Sequence, residues 1–241
     1  MDPDKIRRAV VQNPLNIQAM FNAIAPRYDA LNHLLSFGLD FRWRRKALAL
    51  VREKRGGTFL DVAAGSGDLT IESLRLEPRE VVAADFATNM LEVFRRKVAG
   101  RSIHVPVRVV ACDALALPFG DSSFDVTMVA FGIRNFRDRL AGLSEMLRVL
   151  KPGGLCLILE LTTPTSPFVL WAYSLYARML LPLVGTLISR HNLAYSYLPT
   201  SIAEFPDNEQ FLSLMREAGY IEISARRLTF GVVTVYRGRK R

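Results

Sequence analysis

The stretch Phe59-Leu-Asp-Val-Ala-Ala-Gly-Ser-Gly-Asp68 decides how the rest of the chain is read. Thr58, Phe59 and Leu60 lead into Val62 and the small pair Ala63-Ala64, a pattern that predicts the end of a buried strand. Gly65 and Gly67 supply backbone without Cβ atoms, able to turn sharply and lie close against a ligand. Leu69, Ile71 and Leu74 open a helical pattern directly after Asp68. Strand, glycine turn and helix N-terminus together predict a nucleotide-type binding corner.

The dinucleotide fingerprint needs a third glycine three residues after the second, where this chain has Thr70. The phosphate-loop pattern fails as well, because no Gly-Lys-Ser/Thr follows. Asp61 and Asp68 bracket the turn and would repel a pyrophosphate. A cationic ligand is favoured instead, and S-adenosylmethionine carries both a sulfonium and an ammonium. A tight glycine turn in any α/β domain reads the same at this point, so the segments that follow decide.

A strand over 80–85 ends in Asp85, an acid placed to accept hydrogen bonds from both hydroxyls of a ribose. A third strand, 107–113, ends in Asp113, which with Ala114 leads into Leu117-Pro-Phe119. A carboxylate there can accept from an adenine amino group while leucine and phenylalanine cover the ring. The fourth strand, 124–130, runs into Phe131-Gly-Ile-Arg-Asn-Phe136. A helix carrying Leu140, Leu143, Met146, Leu147 and Leu150 is expected to stop at Lys151-Pro-Gly-Gly154, as a glycine C-cap with proline would stop it. The fifth strand is 155–160. Strands without alternation, separated by helices, predict a parallel sheet covered on both faces. A helix over 208–218 and two β-rich runs, 220–226 and 228–236, close the chain, the runs pairing as an antiparallel edge.

With 241 residues, half of them hydrophobic, the chain fits one domain with additions. Residues 1–14 read as a loose arm. Residues 17–50 are helical and amphipathic, broken at Pro26 and around Ser36-Phe-Gly38, and either cap the ligand corner or pack as core. The division expected is an N-terminal helical extension over 1–50 and a core domain over 51–241 that includes a substrate-side insertion at 163–205. Residues 168–188 hold a single charge, Arg178. Their length would permit a membrane span, but the central arginine, Pro182 and Gly185 favour packing over the carboxyl edge of the sheet, facing a greasy ligand.

Cys112 and Cys156 are too few and too isolated for a disulfide framework or a zinc site, and read as buried free thiols in a reducing compartment. The first 14 residues lack the apolar run of a signal peptide, so a cytoplasmic location is expected. The net charge of +9, with basic clusters at 42–46, 95–97, 226–227 and 237–241, suits nucleic acid or an anionic membrane surface. Solvated helix faces and a basic tail account for any one cluster equally well. No basic stripe interleaved with aromatics, of the kind that binds single strands, is present.

Several motifs together resemble the ubiquinone/menaquinone biosynthesis C-methyltransferase family, within the class I S-adenosylmethionine-dependent methyltransferases. They are Tyr28-Asp-Ala-Leu-Asn32, Leu35-Ser-Phe-Gly38, Trp43, the Asp61–Asp68 corner and Asp113-Ala-Leu-Ala-Leu-Pro-Phe119. Further along come Phe131-Gly-Ile-Arg-Asn135, Arg148-Val-Leu-Lys-Pro-Gly-Gly154, Tyr195-Ser-Tyr-Leu198, Ser201-Ile and Phe205-Pro206. The glycine loop and Lys-Pro-Gly-Gly belong to many methyltransferases; Phe-Gly-Ile-Arg-Asn and the Tyr-Leu…Ser-Ile…Phe-Pro run are characteristic of this family. The likeness runs from about residue 20 to the end.

The resemblance implies a Rossmann-like, seven-stranded, mostly parallel sheet with an antiparallel last strand, helices on both faces and an N-terminal helical cap. It implies S-adenosyl-L-methionine as co-substrate and methyl transfer to a ring carbon of a prenylated quinol, turning demethylmenaquinol into menaquinol. The alternative acceptor is 2-polyprenyl-6-methoxy-1,4-benzoquinol, of ubiquinone biosynthesis. The cofactor contacts it carries over are Gly65, Ser66 (more often threonine in the family), Gly67, Asp85, Asp113 and Ala114. Ala130 stands where many members have serine.

It also points to Arg134 and Asn135 beside the reacting ring. Arginine stays protonated in proteins, so Arg134 is read as stabilising a developing phenolate, with Asn135 orienting the ring or a water that takes the proton. The plainer role for Arg134 is an ion pair with Asp138, four residues on. Asp68 would hold that water or the cofactor's amino group. Each of the three histidines reads first as a surface or packed imidazole, with His33 a weaker candidate base, and no metal-binding constellation is visible. Membrane contact is expected through the substrate, and a homo-oligomer is left open. Two other classes compete. A nucleic-acid methyltransferase would suit the charge but lacks the Asn/Asp-Pro-Pro-Tyr signature after strand four, and a catalytically silent binding module is the third reading.

Overall fold

In the computed structural model, residues 14–171, 175 and 192–241 are described. Seven strands run β1 (Thr58–Val62), β2 (Glu80–Asp85), β3 (Val107–Ala111), β4 (Phe124–Ala130), β5 (Leu150–Leu161), β6 (Ile221–Leu228) and β7 (Val233–Arg239). They form one sheet in the order β3-β2-β1-β4-β5-β7-β6. The first five pair in parallel, and β7 lies antiparallel between β5 and β6. Strand order reverses between β1 and β4, and that switch point is where an open α/β sheet offers a crevice at its carboxyl edge. The loops after β1 and β4, the two most motif-rich of the sequence, therefore face each other.

The central strands are buried along their length because both sheet faces are covered. Phe59 and Leu60, side by side in β1, enter different cores. Leu60 joins Val82, Phe124, Ile133, Met146 and Tyr236 on one face. Phe59 joins Trp43, Val81, Met128, Leu157 and Val235 on the other. Each such side chain contributes about 1.5–3 kcal/mol when fully buried.

The N-terminal helices are α1 (Pro14–Ile24), α2 (Tyr28–Leu35) and α3 (Leu39–Leu48). Pro26 sits in a 3-10 turn between the first two, and Phe37 and Gly38, both at positive φ, turn the chain between the next two. After β1, β2 and β4 come α4 (Asp68–Ser73), α5 (Thr88–Ala99) and α6 (Arg139–Val149), then α7 (Asn192–Ala203) and α8 (Asn208–Glu217). Asp138 caps α6 and a capping box of Asp207 and Gln210 starts α8, which fixes both boundaries.

Two boundaries depart from expectation. Helix α6 ends at Val149, and Lys151-Pro-Gly-Gly154 belongs to the start of β5 rather than to a cap. Leu150 is already extended and pairs with Phe124, while Gly153 N donates to Lys240 O and Lys240 N to Gly154 O. Pairing across the sheet overrides the local stop signal. Strand β3 ends at Ala111, so Cys112 and Asp113 lie in the loop beyond it. The arm read over residues 1–13 and most of the apolar stretch 168–188 fall outside the described residues. Among the described residues, no helix is long and apolar enough to cross a membrane.

Candidate active site

A cavity of about 340 Å³ opens at the switch point. Of the residues singled out in the sequence, Gly65, Ser66, Asp68, Asp85, Asp113, Ala114 and Asn135 line it, while Gly67 and Arg134 stand behind the wall. Tyr28 and Phe21 close it from the N-terminal helices.

The glycine corner is built by backbone. Gly65 and Gly67 both take left-handed φ, +57° and +82°. A Cβ on Gly67 would fall 1.8 Å from the Phe94 ring, so this glycine is what lets α5 pack against the turn. A Cβ on Gly65 would meet nothing within 4 Å, since it faces the cavity. Asp85 accepts from Gly65 N at 2.8 Å and from Ala87 N at 2.7 Å, bracing the loop from the neighbouring strand. Burial raises its pKa above the ordinary carboxylate value. Asp113 accepts from Leu115 N at 2.9 Å.

Asp61 was legible only as a charge beside the turn, and the structure buries it. It is fully buried, accepts from Thr70 Oγ1 at 2.5 Å through Oδ2, and leaves Oδ1 without a partner among the described residues. Burial, helped by the Asp85 charge, pushes its pKa up to about 7. An orphaned carboxylate oxygen at a cavity wall, beside an open glycine face and a strand-end acid, fits the ammonium and ribose of an adenosyl donor.

Asp68 is held differently. Lys97 Nζ lies 2.7 Å from one oxygen and Arg44 Nη2 3.3 Å from the other. Lys97 also lies 2.6 Å from Asp29 on α2, and the Ser66 hydroxyl donates to Asp29. These contacts tie the N-terminal helices to the glycine loop. His33 places Nδ1 2.8 Å from Asp40 and Nε2 3.8 Å from Asp68, with its ring stacked on Phe41. Among the described residues, His33, Asp40 and Asp68 are the one group with metal-ligand spacing, a grouping the sequence concealed. Arg44 and Lys97 already set cationic groups against those carboxylates.

The loop after β4 forms the facing wall. A Cβ on Gly132 would lie 2.8 Å from Ala63 Cβ, so this loop presses on the glycine corner. Arg134 is buried. Its Nη1 donates to Glu160 Oε1 at 2.8 Å and to Phe131 O, and its backbone N donates to Glu160 Oε2 at 3.1 Å. Burial works against its charge, yet Glu160, with Tyr28 and Tyr197, raises its pKa above the ordinary value. The partner is therefore Glu160 at the end of β5, not Asp138. The two positions are not on one helix: Phe136 is extended and Asp138 is an N-cap, so four-residue spacing does not bring them together. Asn135 Oδ1 accepts from Tyr197 O–H at 2.7 Å. Glu160 and Tyr197 were missed as site residues. The single available signal was that Tyr197 falls within the Tyr195-Ser-Tyr-Leu198 motif.

The sequence profile of the ubiE/COQ5 methyltransferase family matches residues 9–240. The ubiquinone/menaquinone biosynthesis C-methyltransferase UbiE of Geobacter sulfurreducens is 48% identical over 93% of this chain and 88% of its own length. The demethylmenaquinone methyltransferase of Thermus thermophilus is 46% identical over 91% and 99%. Among solved structures, an S-adenosylmethionine-dependent methyltransferase from Thermotoga maritima aligns with TM-score 0.61 and 19% identity, over 92% of this chain and 99% of its own. Phosphoethanolamine N-methyltransferase 2 of Haemonchus contortus, solved with S-adenosyl-L-methionine, aligns at 0.56 and 19%, over 81% and 52%. At that identity the structures share the fold, the class I methyltransferase sheet described above.

Proposed function

The chain belongs to the ubiE/COQ5 methyltransferase family, and from that premise we propose that it methylates a ring carbon of a prenylated quinol, converting demethylmenaquinol to menaquinol. The observation that carries this reading is the meeting of two loops in one cavity. One is a glycine corner with a buried carboxylate whose Oδ1 has no partner among the described residues, the other a wall bearing Asn135 beside a buried guanidinium.

Asp61, Gly65, Ser66, Asp85, Asp113 and Ala114 would hold S-adenosyl-L-methionine, Gly67 shaping the turn behind them. When bound, it supplies a methyl group on a sulfonium, a neutral leaving group for displacement. The residues of this chain then have three tasks. The glycine corner and the strand-end acids fix the donor so that the methyl faces the acceptor, which removes most of the entropic barrier to an in-line displacement. Arg134, with its charge sustained by Glu160, and Asn135 beside it favour the acceptor's phenolate, the form whose ring carbon is nucleophilic. Phe21, Tyr28 and Phe131 line the cavity with ring faces that exclude water. The acceptor loses its hydroxyl proton to water; its ring carbon then bonds the methyl as the carbon–sulfur bond breaks, leaving a dienone. Loss of the ring proton to water restores the aromatic ring, whose oxygen regains a proton, so that one proton is released overall. Asp68 is committed to Lys97 and Arg44, and its role is to hold the loop that receives the donor.

Membrane contact would come through the acceptor's tail, and exposed Phe168, Trp171 and Phe230 provide apolar surface for it. The test is transfer of a labelled methyl group from S-adenosyl-L-methionine to a panel of reduced demethylated naphtho- and benzoquinones. Incorporation into the naphthoquinol is expected; incorporation into none of the panel overturns the proposal.

A further inference from the structure

The Tyr195-Ser-Tyr-Leu198 motif has no part in the reaction as derived so far, yet it sends a side chain into the acceptor wall. Tyr197, on α7, is buried, and its hydroxyl donates to Asn135 Oδ1 at 2.7 Å across 62 residues of sequence. Four residues on, Ser201 Oγ lies 3.4 Å from Arg134 Nε and donates to Leu198 O. One helix thus touches both polar residues of the loop after β4 through hydroxyl groups one turn apart.

A carboxamide has one accepting end and one donating end. With the Asn135 oxygen occupied by the phenol, its Nδ2 has no partner among the described residues, and Asn135 lines the cavity. We propose that Tyr197 is a positioning residue that holds the Asn135 carboxamide with its oxygen turned to the phenol, so that it offers an N–H donor to the oxygen of the methyl acceptor. This rests on the quinol-methylating function given above. That orientation makes the site selective for an acceptor whose oxygen becomes an anion: a phenolate gains from a donor and is repelled by a carbonyl. Burial raises the Tyr197 pKa, so the phenol remains a donor through the neutral range. The charged and titratable groups around it are Arg134 on the loop, Glu160 at the end of β5, Arg139 on α6 and Glu204 just beyond α7. Tyr28, on α2, also interacts electrostatically with Arg134.

Tyr197→Phe keeps the ring and its packing but releases the carboxamide to rotate. The experiment follows kcat for a reduced demethylated naphthoquinone as a function of pH, with cofactor affinity measured by titration calorimetry on the same preparations. Tyr197→Phe is expected to lower kcat about tenfold. It should move the midpoint of the rising limb about one pH unit upward, because the bound acceptor ionises less readily. Cofactor affinity should stay within about twofold of wild type. Asn135→Asp, which keeps the Tyr197 bond but turns an anionic oxygen to the acceptor, should lose more activity than Asn135→Ala. A lower kcat with an unmoved midpoint would mean that Tyr197 only supports packing, and wild-type-like kcat and midpoint would mean that it does nothing; either overturns the inference. Equal losses in the two Asn135 variants overturn it too, even if Tyr197→Phe fails to fold. A wild-type enzyme that methylates no quinol sinks the functional reading and this inference together, which separates that failure from the others.

Discussion

The two walls of the cavity handle charge in opposite ways. On the glycine side, Asp61 is buried with one oxygen unpaired among the described residues and its pKa pushed up to about 7. On the acceptor side, the buried cation Arg134 is matched by Glu160 before any ligand arrives. A wall that awaits a cationic donor leaves its counter-charge open, so binding relieves a desolvation cost already incurred. A wall that must favour an anion only during reaction cannot leave a bare guanidinium, which would hold any carboxylate or phosphate. It keeps its charge paired and sets a neutral amide, Asn135, beside it.

The sharpest way to break this contrast is Arg134→Ala. It strands Glu160 as a buried, unpaired acid, and a loss of about 3–5 kcal/mol in unfolding free energy is expected. Chemical denaturation would measure it; kcat in whatever remains folded should fall at least about a hundredfold. A variant as stable as wild type would show that the pairing is not what holds the acceptor wall.

On the opposite wall the vulnerable element is shape rather than charge. Gly67→Ala places a methyl against the Phe94 ring and forces a left-handed alanine, costing about 3 kcal/mol. A second change, Phe94→Leu, should recover part of that loss in a double-mutant cycle, whereas Gly65→Ala should cost only about 1–2 kcal/mol of backbone strain.

Charge on the glycine wall is tested by pH. Because the folded pKa of Asp61 lies above its unfolded value, the ligand-free protein carries the carboxyl at least cost below about pH 4. It loses stability as pH rises through the window up to about 7. Cofactor affinity should run the other way, rising through pH 7 as the carboxylate ionises to meet the ammonium. Asp61→Asn should flatten both profiles and weaken cofactor binding about tenfold or more at pH 8, read by calorimetry. A wild-type affinity that is level from pH 6 to 8 would contradict an open counter-charge.

The smallest effect sharpens the link between cap and corner. Lys97→Met leaves Asp29 and Asp68 facing each other without their shared cation. Partial exposure limits the cost to about 1 kcal/mol, visible as a modest drop in melting temperature.

These walls were not equally legible. The glycine corner is contiguous: strand, turn and helix start lie within ten residues, so its local chemistry could be read in order. Even there the decisive property of Asp61 was hidden, because burial on a central strand, not residue type, raises its pKa. The acceptor wall draws on residues 28, 131–135, 160 and 197–201, which no local pattern connects. Four-residue spacing suggested Asp138 as the partner of Arg134, and an interruption at Phe136 handed that place to Glu160.

The amino-acid sequence by itself determined the alternation of apolar strands and helices, the backbone freedom of the turn at Gly65 and Gly67, and the acids that end successive strands. Each of these is written in neighbouring residues and depends on short-range sterics and hydrophobic periodicity. Only the tertiary structure decided which charges are paired, which are stranded and which way an amide points. Those depend on solvent exclusion and on contacts between segments far apart along the chain, and the sheet order β3-β2-β1-β4-β5-β7-β6 is what brings them together.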